Sequence, residues 1–210
     1  MSEAGARTLT GPEVAKAFAE LSSIRDRALF GLCFLSALRI GEAVALDVSD
    51  VWPGGLVAGG MVDAIRVRRT VGRGEVMRDR PKNGERRDVP VCCDLADLLW
   101  NLSGDLSRVD GSAPLLQSRN SSGRLTTRQA ARVLGGAFKS AGIQRASAHS
   151  LRKTWSIHAD RGGVSLRVLR SILGHRSIRS TDHYLRMVED HEKRAAVESV
   201  SMPHYWKGGS

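Results

Sequence analysis

The hydrophobic positions of this chain fall first into helical and then into extended spacing. Behind Thr10, the residues Val14, Phe18 and Leu21 recur on one helical face, which predicts a short amphipathic helix capped by the threonine. Residues 24–38 are apolar on every side, so the second helix is predicted to be buried rather than laid on the surface. A short third helix follows near 41–46, and the Pro53-Gly54-Gly55 and Gly59-Gly60 breaks end helical character. The middle of the chain reads as β. Ala64 to Val71 (AIRVRRTV) alternates apolar and basic residues as one strand, and Val76 to Arg80 and Arg86 to Val91 flank Pro81-Lys82-Asn83-Gly84. Asn-Gly is a strong tight-turn signal, so these last two segments are predicted to pair as a hairpin. Helical spacing returns near 93–103, 127–140, 149–161, 165–173 and 180–188, with a last segment near 190–200 and with Thr126 and Ser165 as caps. The fold class is therefore mostly α with a small antiparallel β-sheet (α+β), in one compact domain.

Composition narrows the function class. With 41% hydrophobic residues among 210, the chain has material for one full core. Its best apolar run, Ala28 to Leu38, is far short of the roughly 20 residues that span a bilayer, and Met1 to Thr10 carry no hydrophobic signal region. Cys33, Cys92 and Cys93 form neither a disulfide framework nor a zinc pattern, which points to a reducing cytoplasm. The net charge of +10 favours a polyanionic partner, and the charge is concentrated. Residues 119–153 hold eight Lys or Arg and no acid, whereas residues 91–118 hold four acids and one base.

Four segments concentrate groups that can hold a phosphodiester while it is attacked. Arg39, in Ala37-Leu38-Arg39-Ile40-Gly41-Glu42, follows a buried helix, and Glu42 three residues on can hold its guanidinium. Taken alone, the two are equally an ordinary ion pair. Lys82 sits on the predicted hairpin tip, a stiff arm that could present one ammonium to a groove; most turn lysines are simply solvated. His149 and Arg152 lie one helical turn apart in His149-Ser150-Leu151-Arg152, offering a proton carrier and a planar fork for two phosphate oxygens, or else a helix cap and a solvated arginine. In the last, Gly174 terminates a helix ahead of His175, and Tyr184 stands in a polar helix. A phenol with a pKa of about 10 becomes a nucleophile only where cations or a base favour its phenolate.

Taken in order, Arg39, Lys82, His149-x-x-Arg152, His175 and Tyr184 resemble the tyrosine recombinase (phage integrase) family, from about Leu9 to Val188. ALRIGEA is similar to that family's first arginine box, HSLRK to its H-x-x-R box, and LGH followed nine residues later by a tyrosine to its last box. Lys82 lies eight residues before Pro90, as the hairpin lysine does in that family. The resemblance implies a recombinase catalytic-domain fold and a site-specific recombinase that cuts and rejoins double-stranded DNA through a 3′-phosphotyrosyl link, whether for integration, excision, inversion or resolution. It implies Tyr184 as nucleophile, Arg39 and Arg152 on the non-bridging oxygens, His149 relaying the tyrosine proton, His175 donating to the phosphate, Lys82 protonating the leaving 5′-oxygen and Glu42 orienting the site. No cofactor and no metal is expected, because the phosphotyrosine conserves the bond energy. Arg66, Arg68, Arg124, Arg128, Lys139 and Lys153 are then candidates for DNA-backbone contact.

The expected division is an N-terminal extension over 1–8, a catalytic domain over 9–189 and a C-terminal helix and tail over 190–210. That last segment carries Ala195, Ala196 and Val200 as apolar positions, and either docks on a neighbouring protomer or caps its own domain. The resemblance implies a homo-tetramer on DNA, weakly associated or monomeric when free, with accessory DNA-bending proteins as possible partners and no membrane. The chain starts almost at the first catalytic helix, so it reads as either a naturally short recombinase or a fragment without the usual N-terminal DNA-binding domain. Lys153 stands where relatives often have His or Arg. The competing readings are a type IB topoisomerase using the same phosphotyrosine chemistry, a non-catalytic DNA-binding protein on the same fold and an RNA-binding regulator.

Overall fold

A computed structural model of the chain describes residues 6–53, 62–80, 86–106, 110–119 and 123–174, together with 193, 196–198 and 200. Lys82, His175 and Tyr184, and the predicted helix over 180–188, lie outside the described residues.

Three of the helix starts follow directly from their caps. Helix α1 (Gly11–Ala19) begins at Thr10, whose hydroxyl accepts from the Glu13 N–H while the Glu13 carboxylate accepts from the Thr10 N–H at 2.9 Å. Thr126 and Gln129 make the same reciprocal pair at the head of α6 (Thr127–Ser140), and the Ser165 hydroxyl accepts from the Val168 N–H at the head of α8 (Leu166–Leu173). Between them run α7 (Ala148–Arg161) and, earlier, α5 (Cys93–Leu106). The all-round apolar helix α2 (Ile24–Phe34) is buried as its composition requires: every residue from Ala28 to Leu38 is inaccessible. It packs against α5 and α7, and Phe30 meets Phe18, Phe34 and Phe138 around it. The helix is shorter than predicted. It ends at Phe34, and Ala37 reverses the chain at φ 49°, a left-handed conformation uncommon for a residue with a Cβ. Helices α3 (Ile40–Ala45) and α4 (Val48–Val51) follow.

The β region departs from the predicted pairing. Ala64 to Val71 is not one strand but two, β1 (Ala64–Val67) and β2 (Thr70–Val71). The break falls at Arg68-Arg69, where the Arg69 guanidinium turns inward to Asp47 and Asp50 at 2.6 and 2.8 Å. Strand β2 pairs antiparallel with β3 (Met77–Arg78), and β1 pairs antiparallel with β4 (Arg87–Pro90) in the register Ile65 opposite Val89 and Arg66 opposite Asp88. The segments either side of Lys82 therefore each pair with the preceding strands, and among the described residues they do not form a ladder with each other. Ile65, Val67 and Val89 face the core, which sets that register.

Both ends of the described chain are tied to this body. The Leu9 N–H donates to the Thr154 hydroxyl at 2.9 Å, and the Lys153 ammonium donates to the Ala6 carbonyl at 2.8 Å. At the other end, Ala196, Val197 and Val200 are buried in this chain's own core. Ala195 lies outside the described residues.

Arg124 is a structural cation. Its guanidinium donates to the carbonyls of Val44 and Leu46, both at 2.7 Å, and pairs with Asp47. These contacts tie the segment before α6 to the α3–α4 turn, so the Arg124 guanidinium, a candidate for DNA contact, is held within the chain. Removing it takes the guanidinium from the buried Val44 carbonyl and from one Asp47 oxygen, while the Leu46 carbonyl keeps the Leu115 N–H at 3.0 Å. We expect Arg124→Ala to destabilise the fold by about 2 kcal/mol, lowering the thermal midpoint by about 4–8 °C; a calorimetric melt unchanged from wild type contradicts this role.

Candidate functional site

The site is organised around one carboxylate. Reversal at Ala37 sends Leu38 back to the Leu32 carbonyl at 3.1 Å and brings Arg39 to the head of α3. There the Arg39 N–H donates to Glu42 Oε2 at 3.0 Å and its guanidinium to Oε1 at 3.2 Å. α3 can lie this close to β2 because position 41 is glycine: a Cβ there would overlap the Thr70 hydroxyl and the Val71 carbonyl. Glu42 itself has no exposed surface.

Two further arginines reach the same carboxylate from distant parts of the chain. Arg87, on β4, donates to Oε1 at 3.2 Å and Oε2 at 2.9 Å, a two-point grip, while its Nε donates to the Ile172 carbonyl at 2.7 Å. Arg152, on α7 and nearly inaccessible, lies 3.9 Å from Oε2 and donates to the carbonyls of Ala37 and Leu173. The arginine thus holds both the Ala37 reversal and the end of α8. That end is closed by Gly174 at φ 64°, where a Cβ would lie 2.8 Å from the Arg87 guanidinium, so both backbone and space demand glycine. His149 lies one turn before Arg152 on α7 and is half-buried.

The electrostatics follow from this packing. Burial pushes the Glu42 carboxyl up, but Arg87, Arg152 and Arg39 overcome that and bring it down to about 2. The neighbouring Cys33 thiol is driven the other way, to about 12, by burial and by the Glu42 charge, which leaves it inert as a nucleophile.

Arg39, Glu42 and Arg152, expected to act together, are thus adjacent, with His149 on the same helix face. Arg87 was not singled out in the sequence; inside Glu85-Arg86-Arg87-Asp88 it reads as part of a solvated charge run. The one available signal is its place in β4, where it alternates with the buried Val89. Of the other cations expected at DNA, Arg128 and Lys139 are exposed near the two ends of α6, and Arg66 is half-exposed on β1 opposite Asp88. Arg68 is half-exposed, 3.9 Å from Asp50, and Lys153 is tied to the Ala6 carbonyl. Among the described residues no group of three or more His, Cys, Asp or Glu could hold a metal ion, and no helix is long and apolar enough to cross a membrane.

Residues 7–191 match the phage integrase family. The chain belongs to that family. It is 29% identical over 169 residues to tyrosine recombinase XerC of Pelobacter propionicus, covering 80% of this chain and 49% of that protein. It is 26% identical over 208 residues to tyrosine recombinase XerA of Pyrococcus furiosus, covering 97% of this chain and 65% of the relative. The chain spans about half the length of the curated XerC relatives it matches. Among solved structures, the integrase from mycobacterium phage Brujita superposes with a TM-score of 0.65 at 17% identity, covering 93% of this chain and 58% of that one. The Tn1549 transposon integrase in complex with transposon right end DNA gives 0.64 at 17% identity, covering 92% and 65%. This member of the phage integrase family has a tyrosine recombinase catalytic-domain fold, built around a buried glutamate under three arginines.

The depressed Glu42 value has a pH consequence. A carboxyl held lower in the folded state stabilises the fold at pH above its unfolded value of 4.5, and that stability is lost as pH falls toward about 2. The contribution is on the order of 3 kcal/mol. We expect acid unfolding of the wild type to steepen between pH 4.5 and 2, and Glu42→Gln to flatten that segment of the stability curve. Equal slopes in urea melts of the two proteins across this window exclude Glu42 as the titrating group.

Proposed function

We propose that the chain is the catalytic part of a site-specific DNA recombinase that cuts and rejoins a strand through a 3′-phosphotyrosyl intermediate. The observation that carries this is the meeting of Arg39 and Arg152 on buried Glu42, 113 positions apart in the sequence, with His149 one turn away, in a member of the phage integrase family. Two guanidiniums held in a fixed relation suit the two non-bridging oxygens of a scissile phosphate. Held in place beforehand, they meet the charge that builds in the transition state without reorganising.

In this reading the Tyr184 Oη attacks phosphorus, and its proton passes to His149. A phosphorus–oxygen bond to Tyr184 forms as the bond to the 5′-oxygen breaks, and Lys82 protonates that leaving oxygen. His175 donates to the same phosphate. Reversal with a different 5′-hydroxyl restores the phosphodiester in a new strand, so the bond energy is kept in the intermediate. Arg66, Arg68, Arg128 and Lys139 contact the DNA backbone, and copies of the protein assemble as a tetramer on the duplex. The complex of the Tn1549 integrase with transposon right end DNA supports DNA as the substrate.

A nicked suicide oligonucleotide tests the assignment. Wild-type protein accumulates a covalent adduct; Tyr184→Phe forms none while retaining DNA affinity close to wild type. Arg152→Ala slows adduct formation by about a hundredfold or more. An adduct persisting in Tyr184→Phe moves the nucleophile elsewhere, with Tyr205 the remaining phenol, and undiminished cleavage by Arg152→Ala removes that arginine from the phosphate.

A further inference from the structure

We propose that Arg87 is a positioning residue that neutralises Glu42, so that Arg39 and Arg152 keep their charge for the scissile phosphate. The inference rests on the strand-cleavage reading above and assigns a task to a residue that reading does not use.

A buried carboxylate beside two phosphate-gripping arginines is an awkward neighbour. It orients them, but its negative charge also opposes the anion they must bind, and in a desolvated site that opposition is weakly screened. The geometry divides the two effects. Arg87 takes both carboxylate oxygens, at 3.2 and 2.9 Å, and is itself only 7% exposed. Arg39 makes a single 3.2 Å side-chain contact to the carboxylate and keeps 24% of its side chain exposed. Arg152 stands 3.9 Å off and directs two donors to backbone carbonyls. The arginine that grips Glu42 most fully is therefore far less exposed than Arg39, while Arg152, at 3%, spends its donors on backbone carbonyls rather than on the carboxylate.

Charge counting gives the same division. Three guanidiniums against one carboxylate leave two net positive charges in the cluster. The five-coordinate transition state of phosphoryl transfer from a diester carries two negative charges. Without Arg87 the cluster has one net charge, and Glu42 is left to Arg39 and Arg152. Arg87 also ties this balance to the fold, because its Nε holds the Ile172 carbonyl and its guanidinium fills the space beside Gly174.

The test is the rate of adduct formation on the nicked oligonucleotide at saturating DNA. Arg87→Gln slows it by about tenfold or more. Adding Glu42→Gln removes the charge that Arg87 no longer cancels, so the double variant is faster than Arg87→Gln alone. A merely structural role predicts the opposite, since a second buried contact is lost. The companion measurement replaces one non-bridging oxygen of the scissile phosphate by a methyl group, making the diester a neutral methylphosphonate. With one charge removed from the transition state, the gap between wild type and Arg87→Gln closes toward parity. Arg87→Lys, which keeps a charge against Glu42 but loses the fork, falls between the two on the diester and closes likewise on the methylphosphonate; it serves as the single variant should Arg87→Gln not fold. A double variant no faster than the single one, or an undiminished gap on the methylphosphonate, overturns the proposal. Wild type and Tyr184→Phe run in parallel separate the two readings. If the wild type forms no adduct, or Tyr184→Phe still does, the strand-cleavage reading fails. If the adduct depends on Tyr184 and the Arg87 loss is not relieved, only the role of Arg87 fails.

Discussion

A carboxylate without exposed surface stays ionised only if nearby donors replace the water it has lost, and Glu42 is in that position. Its side-chain donors are Arg39 beside it and Arg87 from β4, and Arg152 of α7 adds a positive charge 3.9 Å away. Each of these elements must arrive in register or the burial is uncompensated. The carboxylate therefore acts on the fold as a shared anchor, fixing α3, β4 and α7 relative to one another. The same requirement keeps two arginines pointed at one place.

The turns around the anchor carry its geometric cost. Ala37 sits in a left-handed conformation, and its carbonyl is one of the acceptors for Arg152. Gly174 closes α8 in the left-handed region and leaves room for the Arg87 guanidinium. Gly41 lets α3 approach β2 closely. Backbone strain of about a kilocalorie at a residue such as Ala37 persists where surrounding contacts over-determine it, and here one such contact comes from the buried Arg152.

What the sequence made legible was local. Thr10, Thr126 and Ser165 cap the helices they were expected to cap, because a cap is decided within four residues. The burial of Ala28 to Leu38 followed from an apolar pattern that no surface helix could carry. The boundaries that were misread depend on distant partners. Helix α2 stops at Phe34 ahead of a reversal braced by Arg152, more than a hundred positions later. The strand over 64–71 splits where Arg69 turns to Asp47 and Asp50. In the site, the spacing of three residues joins Arg39 to Glu42, whereas in Arg86-Arg87 only the alternation with Val89 separates the buried arginine from the solvated one.

The same distinction revises what a net charge of +10 means. Arg25 and Arg119 pair with Asp26, Arg69 and Arg124 with Asp47, and Arg87 with Glu42, so several of the cations are committed to buried or half-buried acids within the chain. The acid-free block over 119–153 looked uniformly suited to a polyanion, but it contains Arg124, which staples the α3–α4 turn, and Lys153, which holds the N-terminal segment. Others in that block, including Arg128 and Lys139, stand exposed near opposite ends of α6. A residue count measures the attraction that a polyanion feels at long range. Contact with a backbone needs side chains not already held by the fold, and those are a smaller set than the charge suggests.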